Sequence, residues 1–266
     1  MRVGFVGLGN IGKPMALRLA ATEGIDLHVY DVAPDPVAEL VAAGATAAVS
    51  VRDMDVDVVC VMVRDDAQVR AVAADVPKDR VLVVHSTVAP ETPAELTAAG
   101  HRVLDAPVSG GPMGAAEGSL AILVGGAVDA FDAARPALEA MGTKVVHAGA
   151  VGAGTRMKLA RNLIHFVAFT AVTEAQRLAE AAGLDLAALG EVVRHTDAIT
   201  GGPGAIMYRT TTAPIAPDDF WHGVFSHVAA LGEKDLGFAI ALADELGVDV
   251  PLAREALPRL GKGLGL

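Results

Sequence analysis

Arg2-Val3-Gly4-Phe5-Val6-Gly7-Leu8-Gly9-Asn10-Ile11-Gly12 is the stretch that decides the fold. Its first five residues are an apolar run that predicts a short strand. The glycine turn Gly7 to Gly12 follows at once, and from Lys13 to Ala21 the apolar Met15, Leu17 and Leu19 recur at helical spacing. Strand, glycine turn and helix in that order open a βαβ unit. Leu27 to Tyr30 predicts a second strand that ends at Asp31, 19 residues beyond Gly12. An acid about 20 residues past such a turn is the second half of a dinucleotide-binding pattern.

The pattern assigns each residue a physical task. Gly7 permits the tight turn, Gly9 lets the backbone approach a pyrophosphate, and Gly12 lets helix and strand pack closely. The N–H groups around Leu8, Asn10 and Ile11, together with the helix dipole, suit phosphate oxygens. A carboxylate at Asp31 accepts ribose hydroxyls and repels a 2′-phosphate, so NAD is expected over NADP. Residues 32–36 are Val, Ala, Pro, Asp and Pro and offer no cation to offset that repulsion.

Outward from this unit, apolar runs at Val56–Val63 and Val81–Val84 predict strands buried on both faces, and Arg102–Leu104 a further strand leading to Asp105. Helical patterns at Pro36–Ala43, Ala67–Ala74 and Pro90–Ala99 alternate with them, and Gly44 and Gly100 stop two of the helices. Alternation of this kind predicts a mostly parallel, doubly wound sheet of Rossmann type. Leu120–Val124 and Lys144–His147 add two strands, with a helix at Ala130–Met141 between them. Beyond about residue 150 the strand signals stop. Thr155–Ala182 reads as one long helix, apolar on most faces at first, and such a helix is expected to be buried between domains. Asp185–His195, Val224–Leu246 and Leu252–Leu260 follow as helices, with a break at Gly201-Gly202-Pro203-Gly204. The expected division is a nucleotide-binding domain over residues 1–153 and an all-helical substrate and oligomerisation domain over 154–266, joined by the long helix.

Composition narrows the partners. With 21 basic and 32 acidic residues the formal charge is −11, which disfavours nucleic acid and anionic lipid. Mean hydropathy is +0.44, yet no stretch has the ~18 uncharged apolar residues of a membrane helix. A single Cys60 excludes an intrachain disulfide and any CxxC site. That lone thiol, with no leader pattern, makes a reducing, cytoplasmic setting the expectation. The eight histidines form no HxxxH or HExxH pair, so no metal is expected.

Two further segments carry chemistry. Asp105-Ala106-Pro107-Val108-Ser109-Gly110-Gly111 follows a parallel strand, at the end of a sheet where ligands bind. The Ser109 hydroxyl and the open N–H groups of Gly110 and Gly111 suit a carboxylate, although an ordinary glycine turn has the same look. Gly152 to Asn162 opens the long helix and places Lys158 and Asn162 one turn apart on one face. A lysine in dry surroundings has its pKa lowered and can serve as a general acid/base; a snorkelling or ion-paired lysine is the bland alternative. Glu233-Lys234-Asp235 interrupts an apolar helix and, alone, reads as a solvated face.

Taken together, GLGNIGKPMALRL at 7–19, DAPVSGGPMGAAEGSL at 105–120, GAGTRMKLARN at 152–162 and EKDLGFA at 233–239 resemble the β-hydroxyacid dehydrogenase family, which includes 3-hydroxyisobutyrate dehydrogenase and tartronate semialdehyde reductase. The resemblance spans nearly the whole chain. It implies NAD-dependent oxidation of a short β-hydroxy acid, or the reverse reduction. Lys158 would be the acid/base, Ser109, Gly110 and Gly111 would hold the substrate carboxylate, and Asn162 would bind near the reacting end. Cofactor contacts would come from Gly7, Leu8, Gly9, Asn10, Ile11, Gly12, Asp31, Val63, Arg64, Thr87, Lys234 and Asp235. A homodimer or homotetramer is also implied. Val63-Arg64 stands where the family commonly has Leu-Pro, and His85 precedes Ser86-Thr87 in place of an acidic or small polar neighbourhood. Semialdehyde reductases, imine reductases (which usually lack this lysine) and a non-catalytic dinucleotide-binding module are the competing readings.

Overall fold

The computed structural model describes residues 1–266. The chain divides into two compact units, Met1–Arg161 and Asn162–Leu266. The first unit is built on strands β1 (Arg2–Val6), β2 (Asp26–Tyr30), β3 (Thr46–Ala47), β4 (Val58–Val61), β5 (Val81–Val84), β6 (Arg102–Asp105), β7 (Val108–Ser109), β8 (Ala121–Gly126) and β9 (Lys144–Gly149). They form one sheet in the order β3-β2-β1-β4-β5-β6-β8-β7, with β9 also paired to β8. Strands β1 to β6 pair in parallel, β8 runs antiparallel to β6 and β7, and β9 is parallel to β8. The order reverses at β1, with β2 and β3 to one side and β4 onward to the other. Val6 sits opposite both Tyr30 and Val61, so three strands end level there and their departing loops leave a crevice.

Alternate residues of the central strands enter two different cores. Phe5, Cys60, Val83 and Leu104 pack on one face with Met15, Leu19, Ala134 and Leu138. Val6, Val59, Val61, Leu82 and Val84 pack on the other with Val69, Ala73 and Leu96. The period-2 geometry of a strand forces this split, and it explains why the strands read as unbroken apolar runs. Helices α1 (Gly12–Ala20) and α6 (Val128–Met141) supply the first face, and α3 (Asp66–Asp75) and α4 (Thr92–Ala98) the second; α2 is Pro34–Ala42. The segment after β6, expected as a glycine loop, is more ordered than that. It forms β7 and then the short helix α5 (Gly111–Glu117), with Gly110 at φ 133° and Gly111 at φ 64° turning the chain between them. A two-residue strand has too few residues for a period to show in sequence, and a seven-residue helix with glycine at 111 and 114 shows little helical pattern.

Helix α7 (Ala153–Ala181) is 29 residues long and crosses from the first unit into the second. The second unit holds the rest of α7 with α8 (Leu186–Thr200), α9 (Phe220–Leu246), α10 (Pro251–Ala256) and α11 (Leu260–Leu264). The single helix expected at Leu252–Leu260 is split by a tight turn at 257–259, where Pro258 lacks an N–H. Asp185 and Asp219 cap α8 and α9. Glu174, buried on α7, accepts the Leu252 and Ala253 N–H groups that begin α10, at 2.8 and 3.1 Å. The compact core here is small: Ile215, Phe225, Ala229 and Leu264, joined by Trp221, Val224 and Leu260. The expected burial of α7 is therefore corrected. Leu163 is 68%, Phe166 58% and Phe169 53% exposed in the single chain, because this unit has too few elements to cover the helix all round.

Candidate active site

The crevice at the β1 switch is a cleft of about 560 Å³, lined by Gly7, Gly9, Asn10, Ile11, Gly12, Asp31, Val63 and Arg64 among others. Its floor depends on two glycines. A Cβ on Gly7, at φ +94°, would lie 2.3 Å from the Met62 carbonyl oxygen, and one on Gly12 would lie 2.0 Å from that of Gly7. Gly9 differs: a Cβ there meets nothing within 4 Å. Its missing side chain keeps space open rather than relieving a clash, as a backbone that must admit a phosphate requires. Helix α1 begins beside it with no side-chain cap, so its N-terminal donors and positive dipole end face the cleft.

Asp31, at the end of β2, accepts the Leu8 N–H at 2.6 Å through Oδ2 and the Ala33 N–H at 2.8 Å through Oδ1. These bonds fix the carboxylate at the cleft rim and leave lone pairs on both oxygens. Leu8 itself is buried and contributes through that N–H. Arg64 lies at the mouth, its side chain 80% exposed and paired to Asp65 at 3.0 Å. Ser86 closes the wall: its hydroxyl donates to the Val63 carbonyl at 2.7 Å and accepts the Val63 N–H at 2.9 Å. Thr87 is exposed just beyond β5 and is not among the residues lining the cleft.

The second cluster lies at the end of β6. Asp105 is fully buried, and its carboxylate accepts N–H groups from Gly152 and Thr155, both at 2.7 Å, at the start of α7. Burial raises its pKa, opposed by those bonds. Close approach of α7 needs glycine on both sides. A Cβ on Gly154 would lie 2.1 Å from the Leu123 carbonyl oxygen, and one on Gly125 2.5 Å from Asp105 Oδ1. Lys158, in the second turn of the helix and only 8% exposed, reaches back to β7. Its Nζ donates to the Val108 carbonyl at 2.6 Å and to Ser109 Oγ at 2.8 Å. Burial first, and the positive charge of Arg161 second, lower its pKa from the usual lysine range. Lys158, Ser109, Gly110 and Gly111 are thus brought together by residues far apart in sequence. Asn162 follows four residues later on α7, half-buried. Lys234 and Asp235 lie on α9 in the second unit, exposed and paired to each other at 3.2 Å.

Asp105, His85 and Ser86 were not predicted as site residues. Nor were the cleft-lining Tyr30, Met62, Gln68, Ala71 and Val72. Asp105 and Ser86 act on backbone groups of distant loops, a role that residue type and spacing do not signal. Nowhere do three His, Cys, Asp or Glu side chains converge as metal ligands, and no helix is long and apolar enough to cross a membrane.

Comparison with known proteins gives the family. Residues 2–149 match the family model of the NAD-binding domain of 6-phosphogluconate dehydrogenase. Residues 152–259 match the model for the NAD-binding region of NADP-dependent 3-hydroxyisobutyrate dehydrogenase. An uncharacterized oxidoreductase of Mycobacterium tuberculosis is 48% identical, over 100% of this chain and 94% of its own length. The NAD-dependent L-serine dehydrogenase of Pseudomonas aeruginosa is 36% identical, over 96% of this chain and 85% of its own. The crystal structure of a Mycobacterium avium 104 protein superposes with a TM-score of 0.94 at 47% identity, covering 99% of this chain and 98% of that one. The chain belongs to the β-hydroxyacid dehydrogenase family and is an NAD-binding oxidoreductase of the 3-hydroxyisobutyrate dehydrogenase type.

Proposed function

We propose that the chain oxidises a short β-hydroxy acid with NAD, or reduces the corresponding semialdehyde or keto acid, with Lys158 as the general acid/base. The observation that carries this reading is the environment of Lys158 Nζ. A neutral amine has two N–H donors and one lone pair. The two bonds to Val108 O and Ser109 Oγ use both donors and leave the lone pair for a substrate proton. Burial and Arg161 favour that neutral form.

When bound, NAD supplies the acceptor for the substrate hydride. The turn of Gly7, Leu8, Gly9, Asn10, Ile11 and Gly12 would hold its diphosphate, and Asp31 its ribose. Val63, Arg64 and Thr87 would lie along the cofactor; Lys234 and Asp235 are assigned as cofactor residues on the family resemblance of the 233–239 segment alone. Ser109 with the Gly110 and Gly111 N–H groups would hold the substrate carboxylate. Asn162 would bind near the reacting oxygen. Lys158 then takes the hydroxyl proton at Nζ, and in reduction returns it, while its charge stabilises the developing alkoxide. The L-serine named for the Pseudomonas relative is itself a β-hydroxy acid, which supports this substrate class. We assign the cofactor role to residues 1–153 and the substrate and assembly role to 154–266. With Cys60 a buried free thiol, we place the protein in the cytoplasm.

The decisive test replaces Lys158 with Met, which keeps length and apolar stem. Turnover of 3-hydroxyisobutyrate, 3-hydroxypropionate, D-glycerate or serine, whichever the wild type accepts, is expected to fall by at least ~10²–10⁴-fold with NAD affinity retained. Near-wild-type kcat would eliminate the assignment. Since the neutral amine is the base, wild-type oxidation should rise with pH and level off below the ordinary lysine pKa. Reduction should fall over the same interval, and a rising limb at or above pH ~10.4 would contradict the lowered pKa.

Gly9→Ala should fold normally, since its Cβ meets open space, yet weaken NAD binding about tenfold or more by calorimetry. Unchanged affinity would remove the diphosphate from that turn. Asp31 should make kcat/KM for NAD exceed that for NADP, and the reverse order would refute its ribose role. The exposed Leu163, Phe166 and Phe169 support a homodimer or homotetramer. Light scattering should give twice or four times 27.1 kDa, and a monomer at micromolar concentration would exclude it.

A further inference from the structure

His85 is a buried titratable side chain of the first unit's site region that neither the proposed chemistry nor the cap of α7 uses. It is 1% exposed and stacks on Phe5 with ring centroids 6.2 Å apart and planes 12° apart. Its Nδ1 bonds to the Ala106 carbonyl oxygen at 2.9 Å, while Nε2 is buried with no partner. Burial pushes its pKa down to about 4, so the ring is neutral at ordinary pH. Nδ1 must then carry the proton to donate to the carbonyl, and Nε2 is an unpaired acceptor. A buried polar atom without a partner is unfavourable and uncommon. On a face shared with Phe5, Cys60 and Val83, an aliphatic residue would serve stability better. The histidine is explained by its one bond.

That bond lies on the two-residue link between β6 and β7. Asp105 pairs with Gly125 of β8, and Val108 pairs with Ile122. Between them runs the Ala106-Pro107 link, which keeps the register, and the next two residues deliver Val108 O and Ser109 Oγ to Lys158. The neighbouring Ser86 holds both backbone groups of Val63 in the cofactor cleft. Consecutive residues at the end of β5 therefore grip the cleft wall on one side and the serine–lysine loop on the other.

We infer that His85 is a positioning residue, whose Nδ1–H holds the Ala106-Pro107 link between β6 and β7 and so sets Val108 and Ser109 against Lys158 at a defined distance from the cofactor cleft. This rests on reading Lys158 and Ser109 as the reacting site, and the experiment separates the two. Three variants are compared. His85→Leu removes the donor and the orphan acceptor. His85→Asn places an amide N–H near the position of Nδ1. His85→Gln places it near that of Nε2. The Leu variant is expected to melt no lower than wild type and to bind NAD within threefold, yet to lose about 10- to 100-fold in kcat, the scale of a 1 Å misplacement. Asn should recover kcat to within a few-fold of wild type and exceed Gln.

A readout independent of turnover is the acylation of Lys158 by an amine-selective reagent, followed across pH by peptide mass spectrometry. Labelling should be faster in the Leu variant, as the loop loosens, and wild-type-like in Asn. A Leu variant with kcat and labelling within twofold of wild type would overturn the inference, as would Gln equal to or better than Asn. If the Leu variant fails to fold, the Asn–Gln comparison decides alone. Retained turnover in Lys158→Met would sink the functional reading instead, whatever the His85 series shows.

Discussion

The carboxylate of Asp105 is the interaction on which the Lys158–Ser109 cluster depends. A helix as long as α7 begins with N–H groups that have no intrahelical partner, and here that end is driven into the sheet, where water cannot serve them. Asp105 accepts two of them at 2.7 Å. Each would cost about 1–3 kcal/mol if left buried and unmade. The dipole of α7 in turn stabilises a carboxylate that burial alone would drive toward its neutral form. Glycines at 125 and 154 give the backbones room to approach.

Once that cap is in place, the site is geometrically closed. Asp105 lies three and four residues before Val108 and Ser109, and Thr155 lies three before Lys158. The segment 105–109 and the first turns of α7 leave one anchor and meet again at the lysine amine. A closed circuit of this kind holds Nζ without a counter-carboxylate, and so leaves the amine to be depressed by burial and by Arg161. An ion pair would have fixed the position equally well and raised the pKa.

Much of this was legible in the chain. The glycine turn is read correctly from sequence because each requirement is local: Gly7 and Gly12 sit where any Cβ would meet a carbonyl oxygen, and Gly9 where it would meet open space. Lys158 and Ser109 stand out because a lysine in an apolar helix and a serine beside two glycines are unusual in composition. The strand β7 is missed because two residues show no pattern, and helix α5 because its seven residues include glycines at 111 and 114. The buried α7 is misjudged because an apolar helix announces that it needs cover, not which chain provides it. Asp105, His85 and Ser86 are visible in the sequence but their roles are not, since their partners are backbone groups on loops 20 to 50 residues away.

The sequence by itself determined the alternation of strands and helices, the dinucleotide turn with its acid, and the identity of the lysine. These follow from periodicities and steric rules that act over a few residues. Only the tertiary structure decided that Lys158 reaches Val108 and Ser109, that Asp105 secures the helix, and that His85 and Ser86 join the two clusters. Those contacts depend on the parallel register of β4, β5 and β6, which brings three distant strand ends level. Register is fixed by the summed packing of both faces of the sheet, and no short segment carries that sum.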